Sequence, residues 1–99
     1  MVKHVILWKL KELSEAELAT VKANIKEHLE ALAGKIPGLL EIQVYTDGLD
    51  SSNVDVMLDS SFESEAALTA YAVHPDHVAV ADTYVRPYTA TRACLDFTV

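Results

Sequence analysis

Residues Val2 to Leu10 alternate as two interleaved sets, with His4, Ile6 and Trp8 facing one way and Lys3, Val5, Leu7 and Lys9 the other. Both sets carry large apolar groups. A strand that is apolar on both sides belongs to a sheet covered on both sides. In a chain of 99 residues this is a severe condition, because that length supports one core and no more. Helices of the same chain can cover one face; the second cover has to come from elsewhere.

The rest of the chain supplies the elements of such a sheet. Ser14-Glu15-Ala16-Glu17 has the Ser-x-x-Glu form of a capping box, and Leu18, Val21, Ile25, Leu29 and Leu32 then repeat at helical spacing until Gly34. Lys35 to Gly38 turns the chain into a strand over Leu39 to Thr46, where Leu40, Ile42 and Val44 alternate with Glu41, Gln43 and Tyr45. A polar loop over Asp47 to Asn53 leads to a third strand, in which Val54, Val56 and Leu58 alternate with Asp55, Met57 and Asp59. Ser64 is placed to cap a second helix with Ala67, Leu68, Tyr71 and Ala72 as its inward stripe. Pro75 breaks that helix and opens another piece reaching about Tyr84. Arg86-Pro87-Tyr88 reads as a connection, and Thr91 to Val99 as a fourth strand with Ala93, Leu95 and Phe97 on one face. No repeat or linker divides the chain, so residues 1–99 are expected to form one domain.

Strand, helix, strand, strand, helices, strand is the order of an α+β, ferredoxin-like fold. Right-handed crossovers then put both helical segments on one face of a four-stranded antiparallel sheet. The other face stays bare, with Val5, Leu7, Tyr45 and Met57 on it. A second copy of the chain is the expected cover, giving a dimeric α+β barrel. An interface of about 1,600 Å2, a little over half apolar, supplies gross stabilisation on the order of 20 kcal/mol at about 25 cal/mol per Å2.

Several function classes are excluded or disfavoured by composition. The formal net charge is −7, and the six lysines alternate with acids without forming a basic run, so nucleic acid is not an expected partner. Cys94 is the single cysteine, which rules out an intrachain disulfide and a Cys-rich zinc site. No apolar run approaches bilayer length and the apolar start is closed by Lys9 and Lys11, so neither membrane insertion nor secretion is expected and the location expected is cytoplasmic. Three glycines leave no room for a P-loop or dinucleotide fingerprint, and no serine sits in a nucleophile elbow. Asp47, Asp50, Asn53 and Asp55 lack the spacing of a calcium loop.

Chemistry concentrates at Tyr71-Ala72-Val73-His74-Pro75-Asp76-His77, where two imidazoles and a phenol crowd the helix break. His4, on a central strand, is able to project into the same space. An imidazole titrates near neutrality and can take a proton alpha to a carbonyl, while a phenol can hold the carbonyl oxygen as charge develops. His77 and Tyr71 are therefore the candidate catalytic pair, and no cofactor is expected. The same pair also fits a purely structural role, satisfying each other and the backbone at the break. His74 and His77 form a His-x-x-His pair with His4 as a possible third ligand, but no carboxylate stands in register, so no metal is expected. Arg86 and Arg92 are read as partners of Asp59 or Asp96, or as contacts for an anionic ligand.

Val2-Lys3-His4-Val5, the run Asp55 to Ser64, His74-Pro75-Asp76-His77-Val78 and Leu95-Asp96-Phe97 together resemble the stress-responsive A/B barrel (Dabb) domain family. The resemblance spans nearly the whole chain, and its most specific part is the His-Pro-x-His-Val run. It implies a homodimer of ferredoxin-like sheets facing each other, the arrangement the bare face requires independently. Most members of that family have no assigned reaction. One plant member is a polyketide cyclase working by aldol chemistry, and its catalytic tyrosine and histidine fall on Tyr71 and His77, its cavity histidine on His4. The implied cavity between helices and sheet is lined by His4, Ile6, Trp8, Val21, Ile25, Leu58 and Ala81. Val21 and Ile25 stand where the plant enzyme has large aromatics and Trp8 where it has a smaller aliphatic residue, which argues against a long polyketide. Three roles are thus in view: binding of a small apolar or aromatic ligand, a cofactor-free cyclase, and a structural stress protein without ligand.

Overall fold

The computed structural model describes all of residues 1–99. The chain runs β1 (Val2–Leu10), α1 (Glu15–Glu30), β2 (Leu39–Tyr45), β3 (Val56–Phe62), α2 (Glu65–Val73), α3 (Pro75–Val80) and β4 (Thr89–Thr98). Between α3 and β4 lie one wide π turn, Ala81–Val85, and one 3-10 turn, Arg86–Tyr88. The four strands form one antiparallel sheet in the order β2-β3-β1-β4. This is the ferredoxin-like arrangement, with β1 inside the sheet as the two apolar faces of that strand demand.

Register decides which side chains meet. His4 stands opposite Ser60 and Asp96, Ile6 opposite Leu58 and Cys94, and Trp8 opposite Val56 and Arg92. These residues face the helices. Lys3, Val5 and Leu7 share the other face with Met57, Asp59, Ala93, Leu95 and Phe97. Tyr45, opposite Met57, completes that face. Leu95 and Tyr45 there are 65% and 51% exposed, so the apolar surface expected from the sequence is present and open. Lys3 Nζ lies 2.6 Å from Asp59 Oδ1 within it, a charge pair that is off the hydrogen-bonding direction.

α1 starts where its sequence says it should. Ser14 Oγ accepts from the Glu17 backbone N–H and donates to the Glu17 carboxylate, which closes the capping box. Its buried stripe of Val21, Ile25 and Leu29 packs on Ile42, Val44, Val56 and Leu58. The helix stops at Glu30, earlier than the apolar spacing predicts; Leu32 stays buried from the turn that follows.

Three further boundaries differ from the sequence reading. In β2 the pairing shifts register between Leu39 and Glu41, and this bulge turns Leu40 out to 49% exposure while Ile42 and Val44 remain inside. β3 begins at Val56 and continues through Ser60, Ser61 and Phe62. Its serines are tolerated inside because Ser60 Oγ donates to the His4 carbonyl at 2.9 Å and Ser61 Oγ accepts from Lys3 Nζ at 3.1 Å. The helical piece opened by Pro75 is regular only to Val80, then widens.

Gly38 is required where α2 approaches the turn before β2. Its φ is +82°, and a Cβ there would stand 2.5 Å from the Ala67 Cβ. No helix of the chain is long and apolar enough to cross a membrane.

Candidate functional site

Pro75 creates the site. The His74 backbone is extended at that point, its Nδ1 accepts from the Asp76 N–H at 3.1 Å to cap α3, and the chain bends so that Tyr71 from α2 and His77 from α3 come together. The two rings lie 4.1 Å apart between centroids. Tyr71 also meets Phe62 edge-on at 4.9 Å and His4 at 6.2 Å.

Beneath this junction, between α2, α3 and the β1–β4 half of the sheet, lies a cavity of about 530 Å3, inside the size range of small-molecule sites. Its walls bring together His4, Ile6, Trp8, Tyr71, His77 and Ala81, as the sequence reading expected. Val21, Ile25 and Leu58, also expected there, are elsewhere: they fill the closed core between α1 and the β2–β3 half of the sheet. The misplacement has a simple cause. α1 covers the other half of the sheet, so its stripe never reaches the cavity.

Four lining residues were not anticipated as one group. Arg92, Cys94 and Asp96 come from β4 and Arg86 from the 3-10 turn. Their signal was in the sequence: in β4 the even positions are polar and the odd positions 93, 95 and 97 apolar, so an edge strand with one apolar face must aim Arg92, Cys94 and Asp96 the other way. Arg86 is paired with Asp82 one helical turn back, whereas Arg92 has no salt-bridge partner.

Electrostatics divides the site into a donor, an acceptor and a dyad. The Tyr71 side chain is 1% exposed and its hydroxyl has no hydrogen-bond partner in the protein. Burial pushes the phenol well above its ordinary value, so it remains an O–H donor at every physiological pH. His77 is held below its ordinary value of 6.5, chiefly by burial, with Arg86, His4 and Arg92 adding to the effect and a hydrogen bond to the Ala72 carbonyl opposing it. That bond, 3.2 Å from Nδ1, places the proton on Nδ1 in the neutral ring and leaves the Nε2 lone pair free. His4 Nδ1 is hydrogen-bonded to the Asp96 carboxylate. Burial raises the Asp96 carboxyl, but His4, the Cys94 thiol and Arg92 together lower it further, and the net direction is down. The Cys94 thiol is pushed up by burial and by Asp96.

The His74–His77 pair does not converge as metal ligands: both Nδ1 atoms are committed to local backbone groups. His28 stacks flat on Tyr84 with centroids 3.7 Å apart and closes the seam between α1 and the π turn.

The sequence pattern of the "Stress responsive A/B Barrel Domain", Dabb, matches residues 2–99. The chain belongs to the Dabb family. Among solved structures, a dimeric protein of unknown function and ferredoxin-like fold from Bacteroides fragilis is 31% identical, superposes with a TM-score of 0.92, and matches over 99% of this chain and 95% of its own. A Dabb family protein with a ferredoxin-like fold from Mesorhizobium loti is 22% identical with a TM-score of 0.76, covering 99% and 95%. The hydroxynitrile lyase of Passiflora edulis is 18% identical with a TM-score of 0.72, covering 99% and 92%, a likeness of fold alone. No curated protein matches the chain. Membership thus fixes the architecture of this Dabb domain and leaves its chemistry to be argued from its own residues.

Proposed function

We propose that this Dabb protein works as a homodimer joined through its open sheet faces, and that each copy holds a small apolar or aromatic carbonyl compound in the cavity under Tyr71 and His77. The Tyr71 hydroxyl carries the ligand reading. A buried O–H without a partner costs about 1–3 kcal/mol, and the residue that carries it lines a void large enough for a small molecule. A ligand oxygen accepting from it removes that cost, while Ile6, Trp8 and Val85 offer the apolar body of the ligand a matching surface. A purely structural role calls for a filled core at this place instead.

Trp8 is the single tryptophan and lines the cavity, so its emission reports occupancy. Titration with small aromatic ketones is expected to give a saturable change, weakened about tenfold in Tyr71→Phe, in line with about 1.4 kcal/mol for one hydrogen bond. No saturable change across such a panel counts against the reading. The dimer rests on the open face of Val5, Leu7, Tyr45, Met57, Leu95 and Phe97 and on the dimeric state described for the Bacteroides relative. Sedimentation is expected to give a dimer at micromolar concentration, and Leu95→Asp a monomer.

The free Nε2 lone pair of His77 favours a second reading, cofactor-free proton transfer of the aldol-cyclase kind. His77 takes a proton alpha to the ligand carbonyl, and the C–H electron pair moves into an enolate whose oxygen receives the Tyr71 hydrogen bond. The enolate carbon then attacks a second carbonyl of the same molecule and closes a ring, the C=O π pair moving to that oxygen, which takes back the proton held by His77. Exchange of the alpha hydrogen for deuterium in heavy water, followed by NMR, tests the first step alone. Equal exchange rates with wild type and His77→Ala remove His77 as the base.

A further inference from the structure

We propose that His4, Cys94 and Asp96 form a site for one borderline-soft divalent cation of the Zn2+ class, at the seam of β1 and β4 and open to the cavity. The inference goes beyond the carbonyl reading and does not depend on it. Antiparallel register sets Ile6 opposite Cys94 and His4 opposite Asp96, so an imidazole, a thiol and a carboxylate from two neighbouring strands project side by side on the helix-covered face. Their ligand atoms, His4 Nδ1, Cys94 Sγ and one Asp96 oxygen, all lie within 4.8 Å of one another, and no other group of three such side chains in the chain does so.

Two of the three spacings are those of a tetrahedral metal site, and the third pair stands closer and has to open around the ion. Bonds of about 2.3 Å to sulfur and about 2.0–2.1 Å to nitrogen or oxygen put neighbouring ligand atoms roughly 3.5 Å apart. Here Sγ stands 3.7 Å from His4 Nδ1 and 3.4 Å from the Asp96 oxygen. The remaining pair, His4 and Asp96, is joined by a hydrogen bond whose proton occupies the space between the two atoms. A cation takes the place of that proton, the neutral His4 ring then carrying its N–H on Nε2, and of the thiol proton, which is released to solvent.

The site also has the support a ligand set needs. The His4 ring is held edge-on between Phe62 and Tyr71, and its backbone carbonyl is tied to Ser60 Oγ at 2.9 Å. Three protein ligands leave a fourth position free, and these three line the same void as Tyr71, whose buried hydroxyl has no protein partner. One nitrogen, one sulfur and one oxygen suit Zn2+ far better than the oxygen-seeking Mg2+ or Ca2+. The sequence offered a different trio, His4 with His74 and His77; the fold spends His74 on a helix cap and replaces it with Cys94 and Asp96, invisible as a set until β4 is paired with β1.

Isothermal titration of the reduced, chelator-treated protein with Zn2+, in the absence of any organic ligand, tests the site separately from the carbonyl reading. The expected result is one ion per chain, no saturable heat with Mg2+, and affinity at least tenfold weaker in both Cys94→Ser and Asp96→Asn. Both positions are exposed on an edge strand, and circular dichroism checks that the variants keep the fold. Loading with Co2+ adds a direct signature: a sulfur-to-metal charge-transfer band that Cys94→Ser abolishes. His74→Ala is expected to bind as wild type does. Absence of saturable Zn2+ binding, retention of full affinity in Cys94→Ser, or loss of it in His74→Ala instead, overturns the assignment.

Discussion

The two halves of the helix-covered sheet face are built from similar residues and end differently. Under α1, Val21, Ile25 and Leu29 meet Ile42, Val44, Val56 and Leu58 as one buried cluster; under α2 and α3, His4, Ile6 and Trp8 meet Tyr71, Ala81 and Val85 around a void. The difference lies in the covering helices. α1 is one uninterrupted run of 16 residues, whereas the second cover is broken at Pro75 into runs of nine and six and then a π turn. A broken cover cannot lay a continuous apolar stripe on two strands, and β4 receives none of it: nine of its ten residues, Ala90 to Thr98, are exposed. The site is where the core was left unfinished.

The sharpest way to break that comparison is to cut both halves equally. Ile25→Ala removes a side chain that is 0% exposed in the closed half and is expected to cost about 2–5 kcal/mol, whereas Ile6→Ala merely enlarges an existing void and falls at the low end of that range or below it. Urea denaturation of the two variants measures the gap. Equal losses mean that the cavity is closed up in solution and the two halves are alike. Next in size comes Gly38→Ala. It forces a Cβ against Ala67 at a positive φ and is expected to cost about 1–3 kcal/mol by lifting the start of α2, while Gly34→Ala, also at positive φ but with open space around it, carries the backbone strain without the clash.

How much of this was legible without coordinates follows from the range of each interaction. The capping box at Ser14, the helix break at Pro75 and the two-faced strand around Ile6 are set by near neighbours, and the sequence reading had them all. Tyr71, His77 and His4 were found as candidates because the break gathers two of them and the central strand supplies the third. The bulge at Leu39 and the buried serines of β3 were missed, since each answers to a partner on another strand: Ser60 belongs inside only because the His4 carbonyl, 56 residues away, needs a donor. Cys94 and Asp96 were missed as companions of His4 for the same reason. A register between strands about 90 residues apart is a long-range fact, and it alone says which even position of β4 meets which residue of β1.

A smaller effect, of opposite sign, sharpens the comparison. In a closed core, trimming a tyrosine hydroxyl leaves a partner unsatisfied and destabilises; beside the void, Tyr71 has no partner to orphan. Tyr71→Phe is therefore expected to raise stability by about 1 kcal/mol, a rise in Tm of roughly 4–8 °C for a domain of this size. On the proposed reading it also weakens the carbonyl ligand, so that function and stability move in opposite directions at one atom. A loss of stability in Tyr71→Phe means that ordered water already satisfies the hydroxyl.

The mildest expected effect is a pH dependence at His77, and its sign follows from which form the fold disfavours. Burial, aided by Arg86, His4 and Arg92, penalises the imidazolium, so the folded value lies below 6.5 and the unfolded chain binds the proton first. Between those two values the unfolded state carries more protons than the native state, and stability therefore rises with pH in that window and falls as the solution is acidified below about 6.5. Carboxylates act lower down. Glu30 is raised by burial but lowered more by the Val44 N–H and Lys26, ending below its ordinary 4.5, and the stability it contributes is present above that value and is lost as pH falls through its folded value. The two windows are separate enough to assign. Denaturation midpoints of wild type between pH 7 and pH 5 are expected to fall, and those of His77→Gln, which keeps a polar side chain without the titration, to stay level over the same range. A wild-type slope that survives in His77→Gln places the proton uptake on another group and removes the ground for treating His77 as a neutral ring, with its base free, at the mouth of the broken helix.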